Sequence, residues 1–497
     1  MLKAHRFNAG LAATGLMYNQ AITVLSGVLI GRIVGAADYG ISNVAKNLFQ
    51  IAVLITPVGL DLALQRYMSG AHLDAGRFLV LRKLRLFACS LAVLPMIGLA
   101  FGGASWLANH VYDYRDFAGI LLVTFAALPF ATDTAVLGGA YRGIRKPTPA
   151  ILATYVFAPT ARVAITMLLL VAGWRLWSII VATSLSQVVT WLYIWQRARR
   201  HFPAMSEQDA GGWAESQAVL AFSWPMCVSL VVTAITKMTD VLVLGHYRPS
   251  SEVGQYVAVQ LLVSILTLFS SALGQTLGST VAAHFENNDN HKISATLQDN
   301  MILISLVAAP LFSVIIFWGD RIDLILGKSF SVSWYVVLIL AINQLVTAMF
   351  AFSGLALSMT GRQVSEAWIL GGGLIASVAL CALLVPSYGA PGAAAATLVA
   401  VSGTNLIRTW FVKHRMKISI WSLAAFRPVF IAVTIGAFCK LAILELSSDR
   451  FITAIGGATV SLLLYAVMAW LFLLTRSQRD ALKLIAFRRR AKSEPFL

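Results

Sequence analysis

Three cations stand inside stretches of this chain that are otherwise apolar: Lys46, Arg162 and Lys237. A charge at membrane depth is costly, and it persists where it meets a counter-charge, water or a ligand. Ammonium and guanidinium groups together suit an anion, and phosphate is the commonest one for such a cluster. No carboxylate lies three or four residues from Lys46 or Arg162, so anion binding is the reading for these two. Lys237 has Asp240 three residues on, which leaves an internal ion pair as an equal alternative. Asp61, Asp133 and Asp240 are the acids within apolar stretches. They are ion-coupling candidates, able to carry a proton or a sodium ion, or else they balance the cations. Asp240 leans to the second role. Asp61 and Asp133 are the better placed for coupling, since no cation three or four residues away on the same helix neutralises them.

Lys46 belongs to a stripe. With Asn43, Asn47, Gln50, Asp61 and Gln65 it falls within about 100° of arc when the chain turns 100° per residue. A second stretch answers with Tyr256, Gln260, Ser264, Thr267, Ser271 and Gln275. Interhelical hydrogen bonds explain a few polar side chains in lipid. Six per helix predict a solvated path, with Gln50 and Gln260 joining the three cations as candidate substrate-binding residues.

The two stripes are copies. A shift of 214 residues, without a gap, lays Asn19, Thr23 and Ser26 on Thr233, Lys237 and Asp240. It lays Lys46, Gln50, Pro57 and Asp61 on Gln260, Ser264, Ser271 and Gln275. Gly31, Asp38 and Gly40 fall on Gly245, Glu252 and Gly254. Paired halves around a polar midplane are a common plan for membrane transporters.

The elements that position these residues follow from composition. The 497 residues are 58% hydrophobic and 12% charged, with a mean hydropathy of +0.77. About twenty apolar residues cross a bilayer. Fourteen such stretches are present: 11–35, 41–68, 84–109, 117–142, 149–172, 175–196, 217–245, 254–283, 297–319, 332–359, 365–385, 391–413, 425–446 and 452–475. The first is too long for a signal-peptide core and reads as an uncleaved span. With both termini in the cytoplasm, 25 Lys and Arg fall on the cytoplasmic side and 7 on the other. That bias is a topology signal, and it accounts for the net charge of +17 without a nucleic-acid partner. The expected fold is therefore an all-α polytopic membrane protein. Residues 1–200 form one six-span lobe and 201–415 a second. Residues 416–497 add two spans and a basic tail. Equal span numbers per half make the repeats parallel, related by an axis along the membrane normal.

Other motifs carry less. Prolines at 57, 95, 129, 159, 225 and 310 allow kinks in six spans. Gly27, Gly31 and Gly35 share one face of the first span and suit close packing. The four cysteines have no ligand spacing and read as packing residues, so neither a metal site nor a cofactor is expected. Gly327-Lys328-Ser329 is not a P-loop, because Ile322 stands where the first glycine is required. No other ATP motif or nucleophile elbow is seen.

The Gly31…Asp38-Tyr39-Gly40 turn and its Gly245…Glu252-Val253-Gly254 echo carry a family resemblance, with the Arg362 turn and Tyr388-Gly389-Ala390-Pro391-Gly392-Ala393. The chain resembles the polysaccharide transporter branch of the multidrug/oligosaccharidyl-lipid/polysaccharide exporter superfamily over nearly its whole length. The resemblance implies a V-shaped central cavity and a flippase of the bacterial inner membrane. Its substrate would be an undecaprenyl-pyrophosphate-linked oligosaccharide for exopolysaccharide, capsule or O-antigen. Polymerase and export proteins of the same pathway would be its partners. A multidrug or cation antiporter of the same fold is one alternative. A membrane-embedded polymerase or ligase is another, disfavoured by the short outer loops.

Overall fold

Hydrocarbon offers backbone N–H and C=O groups no partner, so a chain this apolar must satisfy them within helices or closed barrels. The computed structural model describes residues 2–69, 75–114, 116–202, 213–287, 289–319, 322–444 and 450–473, and these contain helices and no strand. The basic tail and the connection at Asp449 lie outside the described residues. Among the described residues thirteen helices are long and apolar enough to cross a membrane. They are α1 (Gly10–Val34), α2 (Ala36–Tyr67), α3 (Arg77–Tyr112), α4 (Phe117–Gly143), α5 (Thr148–Val171), α6 (Arg175–His201) and α7 (Glu215–Tyr247). There follow α8 (Ser250–Gly274), α9 (Asn290–Trp318), α10 (Trp334–Met359), α11 (Gln363–Met416), α12 (Leu423–Ala442) and α13 (Ile455–Leu473).

The sequence predicts fourteen spans, and α11 accounts for the difference. Its 54 residues would reach about 80 Å as one helix, against a hydrocarbon core of about 30 Å. The helix breaks at Gly389, with φ 59° and ψ −135°, a conformation that suits glycine alone. Its two arms then run back along each other. Arg408 on the return arm pairs with Glu366 near the start of the outgoing arm. Gly373 faces Thr404, and Gly392 faces the carbonyl of Leu384. Thirteen helices thus make fourteen crossings.

The two halves meet at a symmetric contact. Gly40 and Gly254, equivalent under the 214-residue shift, abut where α2 crosses α8. A Cβ on Gly40 would strike the carbonyl of Ser250, and one on Gly254 would strike the carbonyl of Ala36. Ser250 is itself the equivalent of Ala36. Each half therefore makes the same contact on the other, as a two-fold axis along the membrane normal requires. The repeated acid supports the next hairpin along. Glu252 Oε1 accepts a hydrogen bond from the Ala390 amide at 2.7 Å, at the break in α11. Its equivalent Asp38 faces Arg175, which opens α6 after the Gly173 turn.

Around that axis α1 packs on both α5 and α8, while α2 packs on α7 and α8. The helices α12 and α13 lie against α9. Apolar side chains cover the outside, as lipid requires: Phe101 is 90% exposed and Val171 91%. Several helices are interrupted. The widened turn Ala153–Phe157 precedes Pro159, whose missing N–H leaves the Tyr155 carbonyl without its helical donor. In α2 the helix stops at Ile55 and resumes at Leu60, with Val58 at φ 52° and Gly59 at φ 72°. The proline at 57 predicts a kink; the structure has a full break.

Topology gives the first expected result. Positive-inside bias predicts that the face holding the N-terminus and the basic loops is the cytoplasmic one. Reporter fusions should be active in the cytoplasm after Leu497 and outside the membrane at Asp113 and Tyr388. An external C-terminus would contradict fourteen crossings.

Candidate functional site: a basic cavity between the halves

A cavity of about 820 Å³ lies between the two halves. Lys46 from α2, Arg162 from α5, and Lys237 and Asp240 from α7 line it, with Gln260 from α8. Five of the eight candidate residues read from the sequence thus share one space. They come from four helices and both halves, so no local sequence signal joins them.

Lys46 and Arg162 lie within electrostatic reach of each other, and the Tyr39 hydroxyl lies near Arg162. Among the described residues, none of Lys46, Arg162 and Lys237 forms an ion pair. Two like charges held together in a low-dielectric wall repel each other. An anion bound between them reverses the sign of that interaction. Arg408 also lines the cavity but has its counter-charge, since Nε and Nη2 both donate to the Glu366 carboxylate.

The internal pair anticipated for Lys237 is absent. Asp240 is directed away from it, into a set of donors on other helices. Its Oδ2 accepts from the Tyr256 hydroxyl at 2.7 Å and from Gln260 Nε2 at 2.6 Å, with Thr397 Oγ1 at 3.5 Å. Its Oδ1 accepts from the Val241 amide at 2.8 Å. Gln260 therefore lines the cavity with its amide nitrogen already committed to Asp240. Lys237 is left exposed to the cavity with no partner carboxylate.

Three candidates lie elsewhere, and the reasons are physical. Gln50 and Asp61 were placed on the Lys46 stripe by assuming one continuous helix. The break at residues 56–59 ends that register for Asp61, whereas Gln50 stands one turn beyond Lys46 on the same unbroken helix; neither lines the cavity. Asp61 instead pairs with Arg142 of α4 at 3.6 Å, and Gln65 Oε1 accepts from Arg142 Nε at 3.3 Å. Asp133 is fully engaged. Its two oxygens accept from Arg85 Nε and Nη2, each at 2.7 Å, and Oδ2 also accepts from Trp191 Nε1 at 2.7 Å. Spacing along one helix shows no neutralising cation for either acid, and both cations come from a neighbouring helix. Arg85 is one of the 25 Lys and Arg assigned to the cytoplasmic side, and the bias survives if this paired residue is left out of it.

The sequence reading missed a polar wall on the other half. Asn343, Gln344 and Thr347 of α10 line the cavity, and so do Thr404 and Asn405 of the return arm of α11. The signal was present. Thr397, Thr404, Asn405 and Arg408 are spaced 7, 8 and 11 residues from the first, which returns to one helical face.

With this geometry in view, known proteins can be set beside the chain. The sequence profile of the polysaccharide biosynthesis protein family matches residues 7–277, and the MatE profile matches residues 225–383. A probable low-salt glycan biosynthesis flippase of Haloferax volcanii, Agl15, is 23% identical over 180 residues. That alignment spans 36% of this chain and only 38% of the Haloferax protein. Among solved structures, an inward closed conformation of the lipid II flippase MurJ superposes with a TM-score of 0.73 at 13% identity. It covers 94% of this chain and all of that one. An inward-facing multidrug resistance MATE family transporter superposes with a TM-score of 0.68 at 14% identity, covering 82% and 98%. These structures share the fold. The chain belongs to the polysaccharide biosynthesis protein family, the polysaccharide transporter branch of the multidrug/oligosaccharidyl-lipid/polysaccharide exporter superfamily.

Proposed function

We propose that this protein flips a polyprenyl-pyrophosphate-linked oligosaccharide across the bacterial inner membrane by alternating access, with both termini in the cytoplasm. The observation that carries the reading is the charge of the cavity. Among the described residues, Lys46, Arg162 and Lys237 face it without a carboxylate partner, and Asp240 is the single acid in its wall. A pyrophosphate needs cations, a sugar head needs a polar space, and a polyprenyl tail can remain in lipid. An antiporter for cationic drugs would need the opposite charge balance. The names of the matched flippases and of the family point the same way. Exopolysaccharide, capsule or O-antigen assembly supplies such a substrate, and polymerase and export proteins would take the product.

Flipping of a labelled lipid-linked oligosaccharide in proteoliposomes tests the proposal. Protein-dependent movement is expected, and none would overturn it. The same assay addresses energy. Asp240 is the ion-coupling candidate that the cavity retains. Moving one charge through the potential supplies about 2.3 kcal/mol per 100 mV, roughly a fifty-fold bias between two states. If Asp240 carries the ion, an imposed proton or sodium gradient accelerates flipping, and Asp240→Asn removes that acceleration. Wild-type rates indifferent to both gradients would exclude coupling.

A further inference from the structure

The cavity is chemically divided. Its α2 and α5 wall is cationic, with Lys46 and Arg162. The wall on α10 and α11 carries Asn343, Thr347 and Thr404, all neutral, and its Arg408 is paired with Glu366. The two walls meet the cavity at similar depth. Both α2 and α10 enter from the same face of the membrane. Lys46 stands ten residues along α2 and Asn343 nine along α10, about 14–15 Å at 1.5 Å per residue.

The two threonines of this wall have no free proton for the cavity. Thr347 Oγ1 donates to the Asn343 carbonyl at 2.8 Å, and Thr404 Oγ1 donates to the Ala400 carbonyl at 2.7 Å. Each hydroxyl has spent its proton within its own helix and offers lone pairs to the cavity. Asn343 is 93% buried, being 7% exposed, and its Oδ1 accepts no hydrogen bond from any described group. A buried acceptor left empty costs free energy, which a donor that reaches it from the cavity would recover.

Pyrophosphate cannot be that donor, because its outer oxygens only accept. A glycan can, through its hydroxyl and amide protons. We propose that Asn343, Thr347 and Thr404 form a glycan subsite opposite the pyrophosphate site, so that the headgroup is held with its phosphates toward α2 and α5 and its sugars toward α10 and α11. This subsite rests on the flippase reading and specifies what that reading leaves open: the half of the cavity that recognises sugar.

The test measures binding to the purified full-length protein in detergent with two probes. One is a short-chain polyprenyl pyrophosphate. The other is the same lipid carrying an N-acetylhexosamine-containing disaccharide. The wild type should bind the glycosylated probe more tightly. Asn343→Leu should cost that probe about tenfold in affinity, the equivalent of one lost hydrogen bond to a neutral partner. It should leave the bare lipid unchanged, which also reports that the variant is folded. Thr404→Val, which keeps the side-chain shape, should act in the same direction to a smaller extent. Lys46→Ala should weaken both probes together. If Asn343→Leu and Thr404→Val leave the preference for the glycosylated probe intact, the subsite is wrong and the flippase reading stands. If the wild type binds neither probe, both fall.

Discussion

A Lys46→Ala/Arg162→Ala double variant should accumulate in the membrane at normal levels and export almost no polymer. The two halves of that expectation have one cause. In the empty cavity the charges repel each other and meet no carboxylate, so their removal does not break a pair. Stability should hold or rise. With substrate bound, each charge makes charge-assisted hydrogen bonds worth about 1.5–3 kcal/mol. Loss of both should reduce flipping by at least about a hundredfold. Lys46→Arg should retain more function than Lys46→Ala, because charge is what phosphate senses. Polymer export per unit of membrane-inserted protein is the measurement. Full export by the double variant would exclude an anion role for this pair.

The repeat, the span count and three of the cavity-lining cations, Lys46, Arg162 and Lys237, were legible in the sequence because each depends on spacing within one segment or on a constant shift. The equivalence of Gly40 and Gly254 shows how far that reaches: a linear offset named two residues that touch across the axis. What was not legible depends on neighbours. Asp61 and Asp133 looked free because Arg142 and Arg85 are distant in sequence. Asp61 looked like a continuation of the Lys46 stripe because Pro57 predicts a kink, whereas the helix stops there; Gln50 shares the unbroken helix of Lys46 and lies one turn beyond the cavity wall. Asp240 looked paired with Lys237 because three residues is the right spacing, yet spacing does not state which way a carboxylate turns when Tyr256 and Gln260 offer donors. The wall on α10 and α11 obeyed the same periodic rule as the Lys46 stripe and was overlooked because Asn343, Gln344, Thr404 and Asn405 carry no charge.

The Arg85–Asp133 pair predicts a phenotype opposite in kind to that of the cavity cations. Asp133 joins three helices, accepting from Arg85 on α3 and Trp191 on α6 while itself standing on α4. Its side chain is 5% exposed and that of Arg85 25%. Breaking such a pair by removing one partner leaves a charge without compensation, at a cost of about 3–5 kcal/mol. That is a large share of the roughly 5–15 kcal/mol that holds a typical domain together. Asp133→Ala and Arg85→Ala should therefore each deplete the protein from the membrane and lower its unfolding temperature in detergent. The Arg85→Leu/Asp133→Leu double variant should recover much of both, since neither charge is then stranded. The protein that survives in each case should flip substrate with unaltered gradient dependence, because neither residue lines the cavity. An Asp133→Asn protein of normal abundance and stability, with altered ion dependence, would return this carboxylate to the transport pathway.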